Sequence, residues 1–189
     1  MSVFTLHAMI PWVASLAALG VSGVTDVKRR IIPNECAVLI AFCGLGLSLK
    51  HGTDQVFIGL AAAFAVVLAL GVLAHYGLTG GGDVKLIGAV TLLVPPGEVG
   101  LLLVEIALAG GVVSCAYILA GHALRRMPGV RQTTAGPGNP VTEGHWLSRE
   151  AARIAAGDPM PYALAVLGGV SYHFIRELHR CLSAISCSL

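Results

Sequence analysis

Six apolar stretches, at about 3–25, 31–49, 55–77, 84–94, 99–121 and 159–178, dominate the sequence. About 20 apolar residues carry a helix across the hydrocarbon of a bilayer. Within that layer every backbone N–H and C=O must be satisfied internally, so a chain with this pattern folds as helices. Charged residues are 12% of the chain, about half of the roughly 25% usual in soluble domains. An ordinary soluble domain is thereby excluded. The net charge of +2 is too small, and too concentrated near span ends, to make a nucleic-acid surface. The expected fold class is all-α: a polytopic membrane helical bundle of about six spans, forming one membrane-embedded domain over residues 1–189.

The fourth stretch is too short to cross. Its 11 residues end at Pro95-Pro96-Gly97 and reach only about 16 Å as a helix. It must therefore be a half-span, tilt, or continue irregularly inside the bundle. Met1 to Thr25 lacks the basic start of a secretory signal and reads as a retained first span. Five cysteines without C-x-x-C spacing write neither a zinc ribbon nor a redox dithiol and read as free, buried thiols. Nine cations (Lys28, Arg29, Arg30, Lys85, Arg125, Arg126, Arg131, Arg149 and Arg153) fall on one side and three (Lys50, Arg176 and Arg180) on the other. The side with nine is expected to be cytoplasmic. It includes a Gly/Pro/Arg-rich loop over about 123–158, in which Trp146–Ala156 has the pattern of a short interfacial helix.

Two of the four aspartates sit at span ends: Asp26 closes the first and Asp83 opens the fourth. The end of an odd span and the start of an even one lie on the same side of the membrane, whichever way the chain is inserted. Two carboxyls that share a proton and a water are the minimum apparatus of aspartic proteolysis. Asp26 also precedes Lys28, Arg29 and Arg30, so an interfacial ion pair is the plain alternative. Asp83 follows Gly80-Gly81-Gly82, where a glycine turn and a helix cap compete with a loop that admits a substrate backbone. Helix-end electrostatics suggest a resting pair with Asp83 ionised, at the positive end of its helix and near Lys85, and the proton on Asp26.

The blocks Asp26-Val27-Lys28-Arg29-Arg30-Ile31-Ile32-Pro33-Asn34 and Gly80-Gly81-Gly82-Asp83-Val84-Lys85-Leu86 resemble the D-x(5)-I-P-N and G-x-G-D-x-K-L patterns of the prepilin peptidases (type IV leader peptidases). These are polytopic aspartic proteases of the G-x-G-D type. Pro161-Tyr162-Ala163 is similar to the Pro-Tyr that opens the last family helix. The resemblance implies an endopeptidase of the bacterial inner membrane that removes the leader of a prepilin or pseudopilin at the cytoplasmic face. It implies Asp26 and Asp83 as the catalytic pair, with no metal or organic cofactor. Gly80 and Gly82 would shape the site, and Lys85 would bias the Asp83 proton or meet the substrate. Pro33 and Asn34 would shape the turn into the second span. Larger relatives carry a cysteine-rich insert and also methylate the new N-terminus. This chain lacks the insert and looks like the minimal, peptidase-only form associated with tight-adherence (Flp-type) pili. The bilayer and the prepilin are the implied partners, and nothing in the sequence sets an oligomeric state.

Two other chemistries compete. Gly20-Val21-Ser22-Gly23 matches the G-x-S-G of rhomboid-type serine proteases, with His173 in the last span, although such a tetrad arises by chance about once in six chains of this composition. A proton- or cation-coupled transporter would use Asp26 and Asp83 beside a broken helix, with Glu105 as a third member.

The cation split sets the first test. Single cysteines placed at positions 29, 51 and 126 on a cysteine-free background are expected to react with impermeant thiol reagents from outside only at 51. Labelling of position 29 from outside reverses the orientation.

Overall fold

In the computed structural model, residues 3–50, 52–126, 153–154 and 160–186 are described. They form α1 (Val3–Arg29), α2 (Asn34–Leu49), α3 (Thr53–His75), α4 (Gly81–Thr91), a 3-10 turn (Pro96–Glu98), α5 (Val99–Arg126) and α6 (Tyr162–Ser186), with no strand among the described residues. The all-α membrane bundle read from the sequence is the fold observed. The parts of α1, α3 and α5 over Met9–Arg29, Thr53–His75 and Pro96–Ala123 (the last taking in the 3-10 turn) are long and apolar enough to cross a membrane, and α2 is a shorter apolar helix. The loop over 123–158 and the interfacial helix expected at Trp146–Ala156 lie largely outside the described residues. From that stretch Arg153 Nη1 donates to the Val27 carbonyl at 3.2 Å.

The short fourth helix is the centre of the bundle. Seven of its residues, Val84 and Leu86 through Thr91, are buried, because α2, α3 and α6 all pack against it. A helix apolar on every side belongs inside protein. Its C-terminal turn is tightened by the Thr91 hydroxyl, which donates to the Gly88 carbonyl at 2.7 Å. The outer helices carry the complementary pattern: Phe42, Phe57 and Phe64 face outward, as expected of surfaces whose solvent is lipid. Cys36, Cys43, Cys115 and Cys181 are free. Cys115 and Cys181 are exposed, which corrects the expectation of buried thiols: in lipid the outer face is as apolar as a core, so a thiol gains nothing by turning in.

Between α1 and α2 the chain reverses in four residues. Arg30 adopts the left-handed conformation (φ 55°), its N–H bonds to the Asp26 carbonyl at 2.9 Å, and Pro33 caps α2 in extended conformation. Proline suits the start of a helix because its missing N–H has no partner there.

Small residues let the helices approach. A Cβ on Gly169 would lie 2.5 Å from the Ile106 backbone, and one on Gly44 2.6 Å from the Leu92 backbone. In lipid, helix association rests on such close packing. Gly169→Ala is therefore expected to destabilise the bundle by about 1–3 kcal/mol. Gly111→Ala, where a Cβ meets nothing within 4 Å, should be neutral. Equilibrium unfolding in mixed micelles measures both. Equal stability of the two variants would mean that α5 and α6 do not pack through these glycines.

Candidate active site

Asp26 lies in the last turn of α1 and is buried at 7% exposure. Its side chain does not end where its helix ends. The Asp26 Oδ2 accepts the Ala163 N–H at 3.1 Å, in the first turn of α6. The first four N–H groups of a helix have no partner in their own helix, and Pro161, fully buried ahead of Tyr162, offers no N–H at all. Asp26 thus caps a helix far away in sequence.

Asp83 performs the same office locally. Its Oδ2 accepts the Gly80 N–H at 3.3 Å at the start of α4. The glycines around it have distinct reasons. A Cβ on Gly80 would come within 2.9 Å of Asp83 Oδ2, and one on Gly82 would meet the Ile32 side chain at 3.4 Å. Gly80 therefore admits the carboxylate, and Gly82 lets the second motif pack on the first. Only Gly81 faces open space.

The two carboxyls come together electrically. Asp83, ahead of the fourth apolar segment, is held above the ordinary carboxylate range, first by burial and second by the charge of Asp26, against the lowering effect of the Gly80 N–H. That direction runs against the sequence-based expectation that the helix N-terminus and Lys85 favour an ionised Asp83. Asp26 was assigned the negative end of α1, but its side chain reaches the positive end of α6, and a backbone donor at that position suits a carboxylate oxygen. Lys85 is not the cation that decides the matter, since its Nζ donates to Asn34 Oδ1 at 3.4 Å. Lys85 and Asn34 join the two motifs across α4 and α2.

Asp83 opens onto a cavity of about 520 Å³ lined by Leu70, Gly77, Leu78, Thr79, Gly80, Val84, Ile87, Met160 and Tyr162. It is the one charged residue among these. The Thr79 hydroxyl donates to the Leu70 carbonyl at 3.4 Å and holds the glycine loop against α3. Tyr162, Met160 and the Ala163 N–H are the site groups that residue chemistry alone did not single out. The only signal for them was the Pro-Tyr pair.

The competing constellations do not assemble. Ser22 is fully buried with no hydrogen-bond partner for its Oγ, while both ring nitrogens of His173 face carboxylates, Glu105 at 2.7 Å and Glu98 at 3.3 Å. Ser22 and His173 therefore form no pair. Glu105, the third member of a transport site, is taken up by His173 and Arg176.

A family model described as the type IV leader peptidase family matches residues 13–115, a little over half of the chain, including both aspartates. Neither curated proteins nor solved structures give a match.

The raised Asp83 carboxyl has a consequence for stability. A carboxyl with a raised folded-state value binds its proton more tightly folded than unfolded, so the stability it contributes is complete below the ordinary value of 3.8 and is lost as pH rises through the folded value. Above that ordinary value, keeping the carboxyl in its folded surroundings costs stability whether it retains its proton or ionises. Asp83→Asn is expected to melt at a higher temperature than the wild type at about pH 7, with the gap closing toward about pH 4. Thermal unfolding in detergent across that range checks it. A gap that does not change with pH would show that ionisation of Asp83 is not its source.

Proposed function

The chain belongs to the type IV leader peptidase family, and from that premise we propose that it cleaves prepilin or pseudopilin leaders with Asp26 and Asp83 as an aspartic dyad. Family membership makes it a membrane-embedded prepilin peptidase, a hydrolase with prepilin substrates. What supports the finer reading is that Asp26 Oδ2 binds the Ala163 N–H while the adjoining Tyr162 lines the cavity onto which Asp83 opens, within reach of the Asp26 charge.

In this mechanism Asp83 holds the shared proton at rest. Asp26, whose Oδ2 already accepts the Ala163 N–H, takes a proton from the attacking water through its other oxygen. Asp83 gives its proton to the carbonyl oxygen of the scissile peptide. The tetrahedral intermediate then collapses: the proton on Asp26 passes to the leaving nitrogen, the C–N bond breaks, and the hydroxyl formed on the former carbonyl oxygen returns its proton to Asp83. The chemistry uses no metal or organic cofactor. The cavity beside Asp83 has mostly apolar walls, which suits a substrate whose cleavage point adjoins a hydrophobic helix.

The orientation that fits is a bacterial inner-membrane protein with the dyad at the cytoplasmic face, supported by the cation distribution around Asp26 and Asp83. The chain has no C-x-x-C pair, which supports the peptidase-only, tight-adherence form.

Asp26→Asn and Asp83→Asn are each expected to lower leader cleavage by at least about a hundredfold while leaving membrane abundance near that of the wild type. Ser22→Ala should cleave normally. Co-expression with candidate prepilins and mass spectrometry of the pilin N-terminus reads all three. Cleavage by Asp83→Asn together with loss in Ser22→Ala would replace the aspartic mechanism with a serine one.

A further inference from the structure

A second cluster of ionisable groups lies at the other end of the bundle. Trp12, which marks that end, is about 21 Å along α1 from Asp26 at 1.5 Å per residue. There a cavity of about 480 Å³ opens between Trp12, the Pro95-Pro96 corner and α6, and its ionisable lining groups are Glu98, His173 and Glu177. Among the described residues no lysine or arginine lines the cavity.

We propose that Glu98, His173 and Glu177 bind one divalent transition-metal ion, with Glu105 as the positioning residue behind the imidazole. One ligand atom from each of the three lies within 4.8 Å of the others. His173 and Glu177 stand one turn apart on α6, and Glu98 comes from the 3-10 turn. His173 Nε2 and Glu98 Oε2 are 3.3 Å apart. Neighbouring ligands of a four-coordinate ion with bonds of about 2.0–2.2 Å have that spacing.

A second observation points the same way. His173 is 1% exposed, and its Nδ1 meets Glu105 Oε2 at 2.7 Å, closer than Arg176 Nη2 at 3.1 Å. On the cavity side Nε2 faces Glu98 Oε2 at 3.3 Å, a pair of atoms that either a proton or a divalent ion between them satisfies. A carboxylate behind the distal nitrogen is also the usual support of a metal-bound histidine. Trp12 stacks on the imidazole, with ring centroids 6.2 Å apart and planes at 20°, and fixes its plane.

The arginines share the carboxylates without closing the site. Arg180 Nη1 lies 2.7 Å from Glu177 and 3.5 Å from Glu98, and Arg176 Nη2 lies 3.7 Å from each. Arg180 is 55% exposed, so its contacts are loosely held. Glu98, Glu105 and Glu177 carry one more negative charge than Arg176 and Arg180 offset. One imidazole with two carboxylates favours zinc, manganese or iron over magnesium and calcium. The ion would tie the 3-10 turn to α6, away from the aspartates and independent of their reading as a dyad.

The test is a Co2+ titration of the purified full chain in detergent. A saturable visible d–d band at one equivalent is expected, displaced by Zn2+ and not by Mg2+, together with a Zn2+-dependent rise in melting temperature. Glu177→Gln, a partly exposed position, should weaken Co2+ binding at least about tenfold, His173→Gln should abolish the band, and Asp83→Asn should retain it. No saturable band, or a band unchanged in His173→Gln and Glu177→Gln, would overturn the site and leave a protonated imidazole among ion pairs. A circular dichroism spectrum and a detergent gel-filtration profile matching those of the wild type are the control that the Glu177→Gln variant is folded.

Discussion

An 11-residue helix cannot cross a bilayer, and the rest of the fold is arranged around that shortfall. The C-terminal end of α4 falls inside the protein, where its backbone groups must be met by protein, while the N-terminal end at Gly80 and Gly81 is exposed. At the N-terminus a carboxylate takes up the Gly80 N–H. At the C-terminus Thr91 and the 3-10 turn close the helix. Surrounding helices then bury Val84 and Leu86 through Thr91, and glycines at 44 and 88 set their distance: a Cβ on Gly88 would clash with the Val67 side chain. The geometry that makes the helix too short is also what leaves room beside Asp83 for a cavity within the bundle.

Both aspartates are therefore held by helix N-termini, one its own and one remote. That is an economical way to keep carboxyls ordered in a partly desolvated site, because the donors are backbone groups that need acceptors in any case. It also separates the two chemically. Asp83 suffers burial and the neighbouring charge, while Asp26 Oδ2 has the α6 donor.

Much of this was legible in the sequence, and the failures share one cause. Spans are local patterns, so length and apolarity located the helices. The shared face of Asp26 and Asp83 followed from counting spans, and the glycine block marked the loop before α4. What could not be read was which remote backbone meets a side chain. Asp26 was assigned the electrostatics of the helix it belongs to, whereas its carboxyl lies in the field of α6. Lys85 was assigned to Asp83 because it is near in sequence, and it turned to Asn34 because α2 and α4 pack. The cluster around Glu105 drew on residues from three separate stretches, each unremarkable alone, and was sorted into two unrelated candidate chemistries.

The two ends of the molecule are mechanically linked through α6. Antiparallel to α5, it meets that helix through small residues, with Gly168 against Ala109 and Gly169 against Ile106, and such a smooth seam resists separation better than sliding. Sliding matters here, because a one-residue slip displaces the helix by about 1.5 Å, enough to break a hydrogen bond of 3.1 Å between Ala163 and Asp26. The pairs from Glu105 to His173 and Arg176 supply the missing axial restraint. They are buried or half-buried, where ionic partners are strongly held once formed because separating them leaves an unmatched charge. The polar cluster far from the aspartates thus fixes the register in which the first turn of α6 meets Asp26, and the apparently separate chemistries at the two ends belong to one mechanical unit.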